Sequence, residues 1–208
     1  MHEGYEPGTA LVVVDVQNDF ADPAGGLPVA GGASILPLLN AEIAAARAAG
    51  AFVACTQDWH PASTPHFAKD GGAWPVHCVG GTWGAELHPG LDAGAGPCVR
   101  KGAGGEDGYS GFTMRDPSTG ATVPTELDGL LRANGVRRLV VGGLATDYCV
   151  KATVLDALAL GYETRVLVDA IRAVDLAPAD GERALAEMER AGAILVRAAV
   201  ALAPRGGS

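Results

Sequence analysis

Leu139-Val140-Val141-Gly142-Gly143-Leu144-Ala145-Thr146-Asp147-Tyr148-Cys149 is the stretch whose reading decides the fold. Three aliphatic residues closed off by Gly142 read as a short strand buried on both faces, the pattern of a parallel sheet. Val150, Val154, Leu155 and Leu158 then recur at helical spacing up to Gly161, so a helix begins almost as soon as the strand ends. Cys149 falls in the first turn of that helix, at the carboxyl end of the strand. The unpaired amides of a helix start carry partial positive charge, which favours a thiolate and can hold a developing oxyanion. A free cysteine is equally often a small buried hydrophobe, and the position alone leaves both readings open.

Working outward, the alternation of strand and helix repeats. Residues 10–14 read as a buried strand ending at Asp15, followed by a turn rich in Asp, Pro and Gly over residues 19–32. Residues 35–49 read as a helix capped by Ser34, with Pro37 tolerated in its first turn and Gly50 as its stop. Residues 51–55 and 98–101 read as further strands, separated by a long aperiodic loop, and residues 125–133 as a helix ahead of the strand at 139–141. Beyond Cys149 come a strand at 164–168, a helix at 183–190, a strand at 194–196 and a frayed tail at 204–208. The expected fold is α/β: a single-domain, doubly wound sheet of about six mostly parallel strands with helices on both faces. A chain of 208 residues, 48% of them hydrophobic, suits one such domain spanning residues 1–208, since a core of this size buries roughly 70% of the unfolded surface.

Composition excludes several kinds of partner. The formal net charge is -9, with no run of Lys or Arg, which opposes an extended phosphate-binding face for nucleic acid or an anionic membrane. A small polar or neutral molecule is the better match, and nothing in the chain rules out a homo-oligomer. The cysteines at 55, 78, 98 and 149 show no CxxC spacing, so the expectation is a reducing, cytoplasmic compartment rather than a disulfide framework. The first residues hold no apolar signal region, and residues 11–14 are far too short to span a bilayer.

In doubly wound sheets ligands bind at the carboxyl ends of the strands. The residues standing there are Asp15, Asp58, His60, Lys101 and Cys149. Singly, each reads as a polar residue ending a strand. Together a carboxylate, an amine and a thiol supply a base, an orienting charge and a nucleophile, the minimum for covalent acyl transfer. Asp58-Trp59-His60 opens the loop over residues 57–97, which also carries His66, His77, Trp74 and many Gly and Pro; a loop that long in a compact domain is usually functional. One Asp with two His suits a first-row divalent ion and leaves coordination positions open, although Asp-x-His alone is a weak signal. No phosphate-binding glycine pattern follows Asp15, and the glycines at 102–105 follow the wrong strand, which opposes a nucleotide-binding module.

Six segments together carry a more specific message. Val13-Val14-Asp15-Val16-Gln17-Asn18-Asp19-Phe20, Thr56-Gln57-Asp58-Trp59-His60-Pro61, Trp74-Pro75-Val76-His77-Cys78-Val79, Lys101-Gly102, Tyr109-Ser110-Gly111-Phe112 and Gly143-Leu144-Ala145-Thr146-Asp147-Tyr148-Cys149 resemble, in the same order and over nearly the whole chain, the nicotinamidases (pyrazinamidases) of the isochorismatase-like cysteine hydrolases. The resemblance implies Cys149 as nucleophile, Asp15 as general acid and base, and Lys101 as the cation paired with it. It implies Asp58, His60 and His77 as ligands of one divalent metal, zinc foremost with iron or manganese as alternatives, and His66 as a further histidine that only some members use. Phe20, Trp74 and Tyr109 would wall the pyridine pocket, a cis peptide would join Leu144 to Ala145, and the amides of Ala145 and Cys149 would form the oxyanion hole. The implied reaction takes nicotinamide, or pyrazinamide, to the acid and ammonia through a thioester. Within the superfamily the alternatives are another amide, a carbamoyl group or a vinyl ether, and the retained Asp58, His60 and His77 argue against them.

Overall fold

The computed structural model describes residues 4–94 and 96–198; the tail expected at 204–208 lies outside them. Its strands are β1 (Thr9–Val14), β2 (Phe52–Asp58), β3 (Cys98–Lys101), β4 (Thr113–Arg115), β5 (Thr122–Pro124), β6 (Arg138–Leu144), β7 (Glu163–Arg172) and β8 (Ile194–Val196). The helices are α1 (Asn18–Ala21), α2 (Leu36–Ala48), α3 (Leu127–Ala133), α4 (Lys151–Ala159) and α5 (Asp180–Arg190).

β1 is buried at every position, and its side chains divide between two cores because successive residues of a strand point to opposite faces. Leu11 and Val13 pack with Leu39 and Ile43 of α2. Ala10, Val12 and Val14 pack on the other face with Leu127 and Leu131 of α3 and Val150 and Val154 at the start of α4. Six strands form the sheet in the order β3-β2-β1-β6-β7-β8, every neighbouring pair parallel. The chain therefore builds outward from β1 in one direction and from β6 in the other, so the crevice of the fold opens where these two strands end. Register there pairs Val14 with Gly143 and, one strand over, Asp58 with Lys101. Gly143 has a φ of 124°, and a Cβ on it would collide with the Val14 carbonyl; only glycine lets β6 lie this close to β1.

The differences from the sequence reading have physical causes. Ser34 is not a helix cap: a 3₁₀ turn (Gly32–Ile35) precedes α2, and the Ser34 hydroxyl donates to Gly31 O at 2.6 Å. β2, β6 and β7 run past their apolar centres, so Thr56, Gln57, Asp58 and the Gly142-Gly143 pair lie inside strands. Polar and glycine residues there are buried by the site they build, which a hydrophobicity pattern does not register. The turn at 19–32 begins with the short helix α1. The antiparallel hairpin of β4 and β5 was not anticipated, because its largely exposed three-residue strands carry no alternation. Among the described residues no helix is long and apolar enough to cross a membrane.

Candidate active site

Asp15 leaves β1 in the left-handed region, at φ 48°, and is fully buried. A non-glycine residue held there is costly unless its surroundings fix it. The fixing groups come from neighbouring strands: the Asp15 amide donates to Thr56 Oγ1 at 3.3 Å, the Thr56 hydroxyl donates to Asp15 Oδ1 at 2.6 Å, and Lys101 Nζ donates to Asp15 Oδ2 at 2.7 Å. Lys101 is itself fully buried and also donates to the carbonyls of Gly108 and Tyr109. Those three acceptors use its three protons. Asp58 Oδ1, 2.8 Å from the same nitrogen, is then an ion contact rather than a fourth hydrogen bond. One buried cation thus lies between two buried carboxylates, and Asp15, Asp58 and Cys149 bring one oxygen or sulfur each within 4.8 Å of one another.

These charges set the protonation of the site. Burial, helped by the charge on Asp58, pushes Asp15 up to about 6 despite Lys101. Burial opposes ionisation of Asp58 as well, but Lys101 and the neighbouring imidazoles hold its carboxyl well below the usual carboxylate range. Lys101 would lose its proton to burial alone, and Asp15 and Asp58 instead keep it well above its ordinary value. For Cys149, burial raises the thiol well above its usual range, Asp15 and Asp58 add to the effect, and Lys101 only partly offsets it. Desolvation thus opposes the pull of the helix-start amides towards a thiolate, and a thiol that must give up its proton in the reaction fits this site. The turn that carries Cys149, Thr146–Val150, is π-helical, with the Val150 amide donating to Ala145 O at 3.1 Å; such wide turns recur at functional sites. The Leu144–Ala145 peptide is cis.

A second cluster lies beside the first. His60, His66 and His77 each place a ring nitrogen within 4.8 Å of the others, all buried. His66 Nδ1 donates to Asp107 Oδ1 at 2.7 Å and His77 Nδ1 donates to Pro75 O at 2.8 Å, which leaves a lone pair on each Nε2. Burial lowers the pKa of His66 and takes His77 down to about 4, so both rings are neutral, the ligating form. Asp58 Oδ2 lies 3.8 Å from His60 Nε2 and 3.9 Å from His77 Nε2, too far for hydrogen bonds. His60 is 1% exposed, and neither of its ring nitrogens has a hydrogen-bond partner among the described residues. A buried imidazole left without a partner is costly; a divalent metal held by Asp58 and the histidines would satisfy it. The donor set of neutral imidazoles and an ionised carboxylate fits such an ion. Gly102 allows the approach, since a Cβ there would lie 2.6 Å from His60 Cε1.

Between the clusters is a pocket of about 350 Å3 of empty space, mouth included, lined by Phe20, Trp74, Tyr109, Tyr148, Ala145 and Cys149 among others. Trp74 Nε1 donates to Tyr109 Oη at 2.7 Å, and the Tyr148 ring stands edge-on to Trp74 at 4.7 Å between centroids and 84°. The pocket is lined by Cys149 at its floor, Asp58, His66 and His77 along one side, and Phe20, Trp74 and Tyr109 as walls; Asp15, Lys101 and His60 do not line it but lie buried directly behind these residues. Sequence reasoning missed the supports. Gln17 clamps the end of β2, its Nε2 donating to Asp58 O at 2.7 Å and its Oε1 accepting from the Asp58 amide at 2.8 Å. Asp19 accepts from the amides of Gly26 and Cys78 at 2.7 and 2.6 Å, tying the turn after α1 to the residue beside His77. Thr56, Asp107 and Tyr148 were also missed; only Tyr148, next to Cys149, gave a signal that could have found it.

The isochorismatase domain model matches residues 9–200. The nicotinamidase of Escherichia coli strain K12 is 41% identical over 206 residues, covering 91% of this chain and 94% of that protein. The crystal structure of the pyrazinamidase of Pyrococcus horikoshii in complex with zinc superposes with a TM-score of 0.82 at 41% identity, covering 92% and 99% of the two chains. The crystal structure of PnC1 from L. infantum in complex with nicotinate gives a TM-score of 0.84 at 35% identity over 95% and 96% of the two chains.

Proposed function

The chain belongs to the isochorismatase family, and from that premise we propose that it is a metal-containing cysteine amidohydrolase that converts nicotinamide, and pyrazinamide, to the acid and ammonia. The observation that carries this reading is that Cys149, at the floor of an aromatic pocket also lined by Asp58, His66 and His77, has Asp15 and its ion-pair partner Lys101 buried directly behind it. A flat pyridine ring suits walls made of Trp74, Tyr109 and Phe20. Nicotinamidase and pyrazinamidase relatives with 41% identity support the same substrate class.

The chemistry follows from the protonation states. Asp15, with a pKa of about 6, is ionised at neutral pH yet basic enough to accept a proton. The Cys149 thiol gives its proton to Asp15 as sulfur attacks the carboxamide carbon. The oxyanion so formed is held by the amides of Ala145 and Cys149. Asp15 then passes the proton to the amide nitrogen, the C–N bond breaks, and ammonia leaves a thioester on Cys149. Water, deprotonated by Asp15, attacks the thioester; the C–S bond breaks and the thiol is restored. Lys101 stays protonated throughout and keeps Asp15 aimed at the sulfur. Asp58, His60 and His77, with His66, would hold the metal, which we assign as zinc; when bound it supplies Lewis acidity for which a pyridine nitrogen is a suitable ligand.

The test is ammonia release from purified protein given nicotinamide, pyrazinamide and a carbamoyl substrate, with metal content measured on the same sample. Turnover of the two pyridine-like amides in preference to the carbamoyl compound is expected. Preference for the carbamoyl compound, or protein without metal that is fully active, would overturn the reading.

A further inference from the structure

Asp147 stands two residues before Cys149 in the π-helical turn, is 7% exposed, and plays no part in the reaction described above. Its Oδ1 accepts from the Val174 amide and its Oδ2 from the Asp175 amide, each at 2.9 Å. Both amides belong to the short connection between β7 and α5, 27 and 28 residues further along the chain. That connection is bent sharply: Asp175 sits in the left-handed region at φ 52°, and its own Oδ1 accepts from the Gly181 amide at 2.8 Å in the first turn of α5. Val174 is the residue of this connection that lines the pocket, alongside Tyr148 and Cys149. Two adjacent amides bound by one carboxylate form a short, directional clamp, so the position of Val174 is referred to the same turn that carries Cys149.

We propose that Asp147 is a positioning residue that sets the width of the pocket by locking the Val174 wall to the nucleophile turn, and that it thereby excludes ring-substituted amides. The proposal rests on the pyridine-carboxamide reading of the site. Asp147 touches no reacting atom; it acts through Val174. An asparagine would keep one acceptor oxygen but present an NH2 to an N–H, and alanine would remove both acceptors. With the clamp gone the connection is free to move outward, and the space gained is of the order of a methyl group.

The experiment measures kcat and KM, per active site and at matched metal content, for nicotinamide and 5-methylnicotinamide with the wild type, D147N, D147A and V174A. Wild-type turnover of nicotinamide tests the underlying reading independently. Given that turnover, the ratio of kcat/KM for nicotinamide over 5-methylnicotinamide is expected to fall about 10-fold in D147A and in V174A, because one methyl group in an apolar pocket is discriminated by about 10 to 200-fold. D147N should fall between these and the wild type. KM for nicotinamide should rise more than kcat falls. In the double variant D147A/V174A the losses should not add, since both remove the same wall. A purely structural role for Asp147 would lower thermal stability and leave the ratio at its wild-type value; that result in D147A, or in D147N where D147A does not fold, would overturn the proposal. So would full additivity in the double variant.

Discussion

The floor of the pocket and its side are built in different ways. Asp15, Asp58 and Lys101 stand at the ends of three adjacent parallel strands, and the pairing of Asp58 with Lys101 across β2 and β3 fixes their separation before any side chain is considered. Cys149 adds a fourth group from the turn after β6. His66, Trp74 and His77 instead come from the long connection between β2 and β3, which has little regular structure and holds its shape through side-chain contacts such as His66 to Asp107 and Trp74 to Tyr109. The difference teaches a division of labour. Groups that must meet within hydrogen-bonding distance during bond making are set by sheet register, which tolerates little adjustment. The groups proposed to recognise a ring and hold an ion are set mainly by loops, which can vary without disturbing the chemistry, and Asp58 at the end of β2 joins the two sets.

The predictions probe that division. The largest effect is expected at the floor: Cys149→Ala should lower kcat by about 10⁴-fold or more while circular dichroism and metal content stay as in the wild type. Residual turnover near the wild-type rate would move the nucleophile elsewhere and dissolve the contrast. Lys101→Ala should come next. It leaves Asp15 and Asp58 buried without their cation, which costs about 3 to 5 kcal/mol of stability, and lets Asp15 drift from the sulfur, so kcat should fall about 10²-fold or more with a smaller rise in KM. A raised KM at unchanged kcat, measured in steady state beside a denaturant titration, would make Lys101 a binding residue and assign it to the side rather than the floor.

At the loop, Asp107→Asn should weaken metal affinity by about 10 to 100-fold, the usual consequence of removing a carboxylate behind a ligating histidine. Chelator competition measures this. With saturating metal, kcat should return to within a few-fold of the wild type, since Asp107 orients His66 and not Cys149; a kcat that stays low would show that floor and side are not separable. The smallest effect comes from pH. Burial raises Asp15 to about 6, so its conjugate base is lost below that value, and kcat/KM should fall about tenfold per unit as the pH drops beneath 6. An unperturbed aspartate would hold the rate constant down to about 4.

Much of the floor was legible in the sequence because Asp15 and Cys149 follow apolar runs and Lys101 ends a short strand reading at 98–101, and the doubly wound order puts such strand ends on one edge. Thr56 was visible at the head of one motif, but its hydrogen bonds to Asp15, 41 residues away across the β1–β2 pair, belong to the tertiary fold. Gln17 was visible as part of a motif, but its clamp on the backbone of Asp58, 41 residues away, belongs to the tertiary fold. Asp107 gave no signal: its partner is a histidine in another loop. The same holds for Asp147, whose partners are backbone amides, and amides carry no sequence identity. Ser34 shows the opposite failure, a residue with good capping propensity whose hydroxyl the preceding 3₁₀ turn takes instead.

The central claim is that the strand ends perform the chemistry while the segments beyond them, through their metal ligands and aromatic walls, select the ring. Its most direct test is kcat/KM for nicotinamide and for benzamide, which has the same shape without the ring nitrogen, on metal-loaded and chelator-treated protein. A site built around a polar contact rejects an analogue lacking it by roughly 10⁴, and an apolar pocket discriminates by about 10 to 200-fold. With the metal bound, nicotinamide should be preferred by about 10² to 10⁴, and the preference should collapse when the metal is stripped. Benzamide turned over within about tenfold of nicotinamide by the metal-loaded protein, below what recognition of the ring nitrogen requires, would contradict the claim and reduce the histidine cluster to a structural clip.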